Sequence, residues 1–332
     1  MINFRFHIVS LTAVLLSLGI GLVLGTTFLD DATINGLKRQ LDGLERDLDR
    51  AQERNDRQQD SLGAFEDETE QLEAQLGERL YAGQLPSEPV LVVSTRGVDP
   101  RWVEGVMASL DQADADVLGV WWLTDRLLLD DDSEVADLSA ALDLSTDDEE
   151  RLARTLSVQL ADVLYAAVDV PSEGEAAASP SEPSLLAHLR ESGFVEYQLP
   201  EGVDGDVVRI PPSGMRVVVV DGPEAAVPAA DVMIPVLTDL TSEGPMPVVV
   251  TQPTPAVGDD VDEEPQPQLV RAIRADDELR ERLSTVDNLD MVSGRAATVL
   301  ALADAVPGDP TVGQYGRGDG ADRLLPPRAD DG

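Results

Sequence analysis

The stretch Val90-Leu-Val-Val-Ser94, together with the segment from Pro100 to Asp111, decides the fold class of this chain. A short run of large apolar residues bounded by turn-forming residues is typical of a strand buried on both faces. A proline at the first position of the next segment favours the start of a helix. A buried strand followed by a helix begins a β-α unit, so the sequence predicts an α/β domain with a mainly parallel sheet.

Several later segments extend this predicted sheet. Short runs rich in valine indicate further buried strands, and two longer segments have the amphipathic pattern of helices. The predicted strands are Val117–Leu123, Val217–Val220, Val248–Thr251 and, as the last one, Leu283–Val286. The predicted helices are Asp147–Tyr165, with acidic residues in its first turn, and Met291–Ala305.

The composition along the chain divides it into four regions. These are a short tail with a membrane anchor at 1–31, a coiled coil at 32–82, the α/β domain at 88–306, and a Gly- and Pro-rich tail at 307–332. Within the domain, the Pro-, Ser- and Glu-rich stretches 171–184 and 252–268 lack the apolar content needed to pack. We therefore expect them to be flexible surface loops.

The chain is strongly acidic. Its 64 Asp and Glu residues against 24 Lys and Arg residues give a formal net charge of −40. Nucleic acid is excluded as a partner, because binding it depends on neutralising phosphates with cations. Solubility in a salty environment explains such acidity, and so does a surface that attracts a basic partner or cations. Composition alone leaves both explanations open.

The run from Ile8 to Leu29 carries no formal charge and, as a helix, is long enough to span the roughly 30 Å hydrocarbon layer of a membrane. A cleaved signal peptide is the alternative, although Val23-Leu-Gly25 is a poor cleavage site. The flanking charges favour a cytoplasmic N-terminus and an extracytoplasmic soluble domain. Those charges are Arg5 and His7 before the run and Asp30 and Asp31 after it.

Three small residues recur every fourth position in this apolar run, at Ser17, Gly21 and Gly25. Such spacing places them on one face of a helix, where a second membrane helix can approach closely. Glycine is also common in membrane helices without a packing role, so the pattern supports either interpretation.

The region after the anchor has an unbroken heptad pattern, which predicts a coiled coil. Self-pairing in parallel would place Glu68 opposite Glu73, so a different partner helix would fit the charges better. The seam could also fold back on its own domain. The polar residue Asn55 in the middle of the seam either fixes the register of the paired helices or marks a weak point or hinge in the coil. The seam residues are Leu37, Leu41, Leu44, Leu48, Asn55, Leu62, Phe65, Leu72 and Leu76.

The sequence offers no catalytic, cofactor-binding or metal-binding motif that we can identify. It contains no P-loop, no nucleophile elbow and no zinc-protease motif, and the turn after the first strand has one glycine where dinucleotide binding needs three. Cysteine is absent, and the two histidines lie on opposite sides of the anchor. We therefore expect the protein not to be an enzyme.

Four segments of the chain resemble the actinobacterial MctB-type copper transport family. They are residues 1–26, Ser284–Asn288, Gly294–Leu302 and Gly313–Ala321. The resemblance implies a membrane-anchored envelope protein with a role in copper transport or copper tolerance. Since no copper-ligand motif accompanies it, the expected mode of action is assembly and not metal ligation by this chain. Family members have also been linked to a complex that controls cell division and peptidoglycan hydrolysis, which makes a coiled-coil adaptor the alternative.

The matching segments contain six positions whose role the sequence does not define. Asp287-Asn288 has either a turn or capping role at a strand end or a binding role. Tyr315-Gly-Arg-Gly318 is either a loop that docks a partner or a flexible tail. The six positions are Asp287, Asn288, Gly294, Arg295, Tyr315 and Gly316.

Overall fold

The computed structural model describes residues 6–25, 50, 52, 80–168, 179–203, 205–254 and 268–327. The chain divides into two compact units, Met1–Gln71 and Leu72–Gly332, which are treated separately here. All nine residues named for the coiled-coil seam, and most of the predicted coil at 32–82, lie outside the described residues. The coiled coil and its pairing therefore stay a prediction.

The described part of the first unit consists mainly of one helix, α1, which runs from Phe6 to Gly25. Its 20 residues are long and apolar enough to cross a membrane, and none of its apolar window is buried by the rest of the chain. The helix begins two residues before the predicted Ile8, and residues 26–29 lie outside the described part. Length and composition fit the anchor that the sequence predicts, and a signal sequence has the same properties.

The second unit is built on a seven-stranded sheet in the order β3-β2-β1-β4-β5-β6-β9. All neighbouring strands are parallel except β2 and β3. This confirms the predicted α/β class with a mainly parallel sheet. The strands are β1 Pro89–Thr95, β2 Asp116–Leu123, β3 Val195–Gln198, β4 Arg216–Val220, β5 Val248–Thr251, β6 Ser284–Val286 and β9 Gln314–Tyr315, while β7 Ala305–Val306 and β8 Asp309–Pro310 form a separate pair.

Helices cover both faces of the sheet, because successive strand residues point alternately to two hydrophobic cores. Val90 and Val92 face one core with α2 and α9, and Leu91 and Val93 face the other with α4 and α6. The helices are α2 Pro100–Gln112, α3 Asp132–Ala141, α4 Glu149–Val168, α5 Ser184–Glu191, α6 Met233–Leu240, α7 Leu269–Ala275, α8 Asp277–Arg282 and α9 Val292–Asp304.

The region after Pro307, which the sequence presents as a Gly- and Pro-rich tail, contributes to the folded domain. Leu283–Val286 is not the last strand, because β9 pairs with β6 and extends the sheet by one more. Tyr315 in β9 is only 3% exposed. Burial of this ring and the polar contacts described below hold the segment, and a two-residue strand is too short to have a detectable hydrophobic period.

The two predicted loops also include packed residues at their ends. Gln252, the first residue of the 252–268 stretch, is buried and donates its backbone N–H to the oxygen of Val286 at 3.0 Å. In the 171–184 stretch, Ser181 pairs with Ile210 and Ser184 begins α5. The central parts, 171–178 and 255–267, lie outside the described residues.

Candidate functional site around Asp287

Asp287, the residue directly after β6, forms a buried ion pair with Arg274 of α7. Their side chains are 3% and 4% exposed, respectively. Arg274 also donates from Nε to the hydroxyl of Thr285 at 2.8 Å. A charge buried this deeply is stable only when it is paired and hydrogen-bonded, so both side chains depend on each other.

The C-terminal loop wraps around this ion pair. The carboxylate of Asp287 accepts the backbone N–H of Arg317 at 2.7 Å and that of Gly318 at 2.8 Å. Arg274 donates to the backbone oxygens of Tyr315 at 2.6 Å and Asp319 at 3.2 Å. The ion pair is therefore surrounded by partners from its own chain, and Asp287 holds the loop through these contacts.

Two glycines of this loop are required by the close approach to Asp287. A Cβ atom on Gly316 or on Gly318 would lie less than 3.0 Å from a carboxylate oxygen of Asp287, closer than such atoms approach. Gly316 also has a φ of +123°, a conformation that residues with a Cβ rarely adopt. The Gly-x-Gly spacing at 316–318 thus follows from the packing of backbone against carboxylate.

Tyr315 anchors the start of the loop. Burial of its ring raises the pKa of its hydroxyl, and a side chain at Gly313 would collide with that hydroxyl. The far end is fastened by the backbone N–H of Gly316, which donates to the oxygen of Arg323 at 3.0 Å. The segment that the sequence left as a docking loop or a flexible tail is thus tied at both ends.

Asn288 and the start of α9 form the adjoining part of the site. Asn288 is fully buried and donates from Nδ2 to the Ser293 hydroxyl at 2.9 Å, while its Oδ1 has no hydrogen-bond partner among the described residues. A Cβ on Gly294 would collide with the backbone oxygen of Asn288. Arg295 donates to the oxygen of Leu289 at 3.1 Å, and burial lowers the pKa of its guanidinium.

A family model described as "Copper transport outer membrane protein, MctB" matches residues 1–326, which include α1, the sheet and the loop around Asp287. The chain belongs to the MctB family. "Copper transporter MctB" of Mycobacterium leprae is 31% identical over 343 residues, which cover 99% of this chain and all of that protein. "Copper transporter MctB" of Mycobacterium tuberculosis H37Rv is 28% identical over 332 residues, covering 97% of this chain and 98% of that protein.

The six MctB-motif positions singled out in the sequence all lie at the end of β6 or in the segments packed there. Sequence reasoning missed Arg274, and it included Thr285 and Gly318 in the matching segments without singling them out. Arg274 carried no signal, since an arginine in an amphipathic helix is usually at the surface. The alternation of Gly316, Gly318 and Gly320 was a usable signal, because glycines at such spacing mark close backbone approach.

The other predicted positions belong to other segments of the sequence. Ser17, Gly21 and Gly25 lie on α1 at four-residue spacing, and the Ser17 hydroxyl donates to the backbone oxygen of Val14 at 2.9 Å. Nothing in the described part of this unit tests the packing role, which stays a prediction. The seam residues of the predicted coil lie outside the described part of the chain.

The usual ligand crevice of this MctB fold is closed by its own backbone. In open α/β sheets, ligands bind where the strand order reverses, which here is between the carboxyl ends of β1 and β4. The backbone N–H of Ala226 donates to the oxygen of Arg96 at 2.6 Å, and a Cβ on Gly97 would lie less than 3.0 Å from the oxygen of Glu224. The loop after β4 therefore covers the turn after β1.

Asp221 lies beside this closed crevice as a buried carboxylate. It accepts the backbone N–H of Leu269 at 3.1 Å, and burial raises the pKa of its carboxyl. Across the described residues, no group of three or more His, Asp and Glu side chains is placed to hold a metal ion. Met215 and Met233 are buried in the apolar core under the sheet, where methionine packs as a hydrophobic residue.

Proposed function

We propose that this MctB-family chain takes part in copper transport or copper tolerance as a membrane-anchored envelope protein. In this proposal it acts through assembly with other proteins and does not itself ligate copper. The match to the family over residues 1–326 is the observation that carries the proposal. The mycobacterial relatives that bear the name copper transporter match nearly the whole chain, including the apolar N-terminal helix.

The chemistry of the side chains supports action through assembly. Copper(I) prefers soft thiolate, thioether and imidazole ligands. The chain has no cysteine and two histidines, and Met215 and Met233 lie inside the core. The apolar run from Ile8 to Leu29 contains no Asp, Glu, His, Cys or Met, so by itself it offers no polar or soft-ligand path for an ion, and a pathway requires further chains.

The predicted coil is the proposed site of that assembly. Its seam would pair either with a second copy or with a partner helix that carries basic flanking residues. Leu41→Asp and Leu72→Asp each place a charge in the apolar seam and should abolish function while the α/β domain remains folded. Near- and far-ultraviolet circular dichroism of the full chain would separate loss of pairing from loss of the domain.

The copper role is tested by deleting the gene and measuring cellular copper by mass spectrometry in copper-supplemented medium. We expect a several-fold change in copper content and reduced growth, both restored by the wild-type chain. Unchanged copper content together with failed cell separation at ordinary copper would contradict the copper role and support a cell-division adaptor.

Ligation is tested separately by titrating the purified full chain with copper(I) in the presence of a competing chelator. We expect no stoichiometric complex that survives the chelator. A tight complex would contradict the proposal that this chain does not itself ligate copper, and this result would hold independently of the phenotype of the deletion strain.

The proposed topology has a cytoplasmic N-terminus, a single membrane crossing by α1 and an extracytoplasmic α/β domain. The charges that flank the apolar run support this orientation. Protease added to intact spheroplasts should digest the α/β domain, and protection of that domain would overturn the orientation. Sequencing the N-terminus of the mature protein would show whether the segment is retained.

A further inference from the structure

A groove of about 340 Å³ lies between α4 and the C-terminal end of α6, away from Asp287 and its loop. Its apolar lining residues are Val158, Ala161 and Leu240, and since Ala161 and Leu240 are buried, Val158 supplies the accessible apolar surface. Val158 is 43% exposed, which makes it one of the few large apolar side chains that this part of the domain leaves accessible to water. Accessible apolar surface inside a groove favours an occupant with an apolar segment.

The rim of the groove is acidic. Asp162 of α4, Asp239 of α6 and Glu243 line it, and none of the described residues that line the groove carries a positive charge. The hydroxyl of Tyr165 donates to Glu243 at 3.1 Å, and the hydroxyl of Ser157 donates to Asp239 at 2.9 Å. These neutral donors orient the carboxylates without neutralising them, so the rim keeps its negative charge.

The C-terminal end of α6 adds to this negative potential. Asp239 and Leu240 are in the last turn of α6 and line the groove, as do Ser242 and Glu243 just after it. The C-terminus of a helix carries a partial negative charge of about half an elementary charge. Arg282 donates to the oxygen of Thr241 at 2.9 Å and to that of the lining residue Ser242 at 3.5 Å, and it offsets part of this charge without itself lining the groove.

We propose that this groove binds a basic, amphipathic segment of a partner protein. An arginine or lysine of the partner places its alkyl stem on Val158 and its charged end between Asp162 and Glu243. The charge complementarity between the acidic rim and a basic segment is what selects this class of partner. A segment with apolar residues alone leaves the carboxylates without a cation, and a polar cationic segment leaves Val158 exposed.

The test uses the full chain in nanodiscs of zwitterionic lipid at about 0.15 M salt, where long-range attraction is largely screened. The probe is a fluorescent amphipathic peptide of leucine, alanine and arginine, with a second peptide in which glutamine replaces arginine. Anisotropy should show saturable binding of the arginine peptide and little binding of the glutamine peptide. Absence of saturable binding by the arginine peptide would overturn the proposal.

Variants locate the binding. Asp162→Asn with Glu243→Gln should raise the Kd for the arginine peptide about tenfold, since both charges that face the cation are lost. The matched control, Glu104→Gln with Glu191→Gln, removes two exposed carboxylates that do not line the groove and should change the Kd less than about twofold. Equal weakening by both pairs would show non-specific attraction to an acidic protein and refute the site.

A third variant separates the groove from the rim. Val158→Arg provides a cation from the chain itself at an exposed position, so the fold should tolerate it. We expect this single change to abolish peptide binding, because the new side chain occupies the groove and its cation also takes the place of the peptide's cation. Retained binding by Val158→Arg would show that the peptide lies elsewhere.

Discussion

The sheet's carboxyl edge is closed in two different ways, at its centre between β1 and β4 and near its β9 end. Between β1 and β4, backbone meets backbone, with Gly97 under the oxygen of Glu224. Beyond β6, two buried charges hold the C-terminal loop, with Arg274 and Asp287 at its centre. The first closure requires a residue without a Cβ at Gly97, so that the two backbone segments can approach. The second requires an ion pair between two side chains, which a single substitution removes.

The largest effect should come from breaking the buried ion pair. Arg274→Met leaves Asp287 as an unpaired buried charge, which typically costs about 3–5 kcal/mol in the free energy of unfolding. Chemical denaturation monitored by fluorescence would measure the loss. The double variant Arg274→Met with Asp287→Asn should recover part of it, because no unpaired buried charge remains. If the double variant is no more stable than the single one, the loss does not come from the charge.

The second test compares one glycine from each of the two closures. Gly97→Ala and Gly316→Ala each combine a φ that disfavours side chains with a collision against oxygen, so each should destabilise by about 2–4 kcal/mol. The obstacle at Gly316 is mainly a side chain, while the obstacle at Gly97 is backbone. Asp287→Ala should therefore reduce the further cost of Gly316→Ala and leave that of Gly97→Ala unchanged.

A double-mutant cycle measures this difference as a coupling energy. We expect a coupling of about 1 kcal/mol or more between positions 287 and 316, and one near zero between 287 and 97. Equal coupling of position 287 to positions 316 and 97 would contradict the distinction between side-chain and backbone closure.

A smaller effect should come from Asp221, beside the β1–β4 closure. Burial raises the pKa of its carboxyl above the ordinary value of 3.8, so the folded state binds a proton more tightly than the unfolded state does. This contribution is favourable when the carboxyl is protonated, and it is lost as the pH rises from 3.8 through the raised folded-state pKa.

Asp221→Asn should remove that pH dependence, because the amide oxygen can still accept the N–H of Leu269 without carrying a charge. Thermal unfolding between about pH 4 and 7 should show the stability of the variant rising relative to wild type as the pH increases. A constant difference across this range would contradict the burial-raised pKa.

The smallest effect should come from the exposed ion pair of Arg280 and Asp322, which lies near the C-terminal loop held by Asp287. Their side chains are 35% and 52% exposed and lie 2.9 Å apart. Pairs of this kind contribute at most about 1 kcal/mol, so Arg280→Ala should cost far less than Arg274→Met. Denaturation of the two variants under the same salt conditions is the comparison, and similar losses would show that burial does not set the difference.

The sheet itself was predictable because its central strands are valine-rich runs. The predicted strands at 90–94, 117–123, 217–220 and 248–251 are all present, each within a residue of its predicted ends. A run that is buried on both faces needs continuous apolar sequence, which is a strong local signal. The helices at 100–112 and 292–304 were predictable from their local pattern for similar reasons.

The closure at β6 was not predictable from local patterns. Arg274 reaches Tyr315 across 41 positions, and nothing near Arg274 in the sequence indicates that its charge is buried. The short strand β9 forms because its neighbours supply partners, since two residues have too little intrinsic preference to define a strand. The resemblance to the MctB family singled out Asp287 and Gly316, and the structure supplied the contact between them.

Hydrogen exchange of two backbone amides tests the central claim most directly, which is that Asp287 holds the C-terminal loop. Arg317 and Gly318 are exposed, yet their N–H groups donate to the buried carboxylate. In the full chain in detergent micelles, we predict slow exchange at both amides and fast exchange after Asp287→Ala. Exchange in the wild-type chain as fast as that of an unstructured peptide would contradict the account.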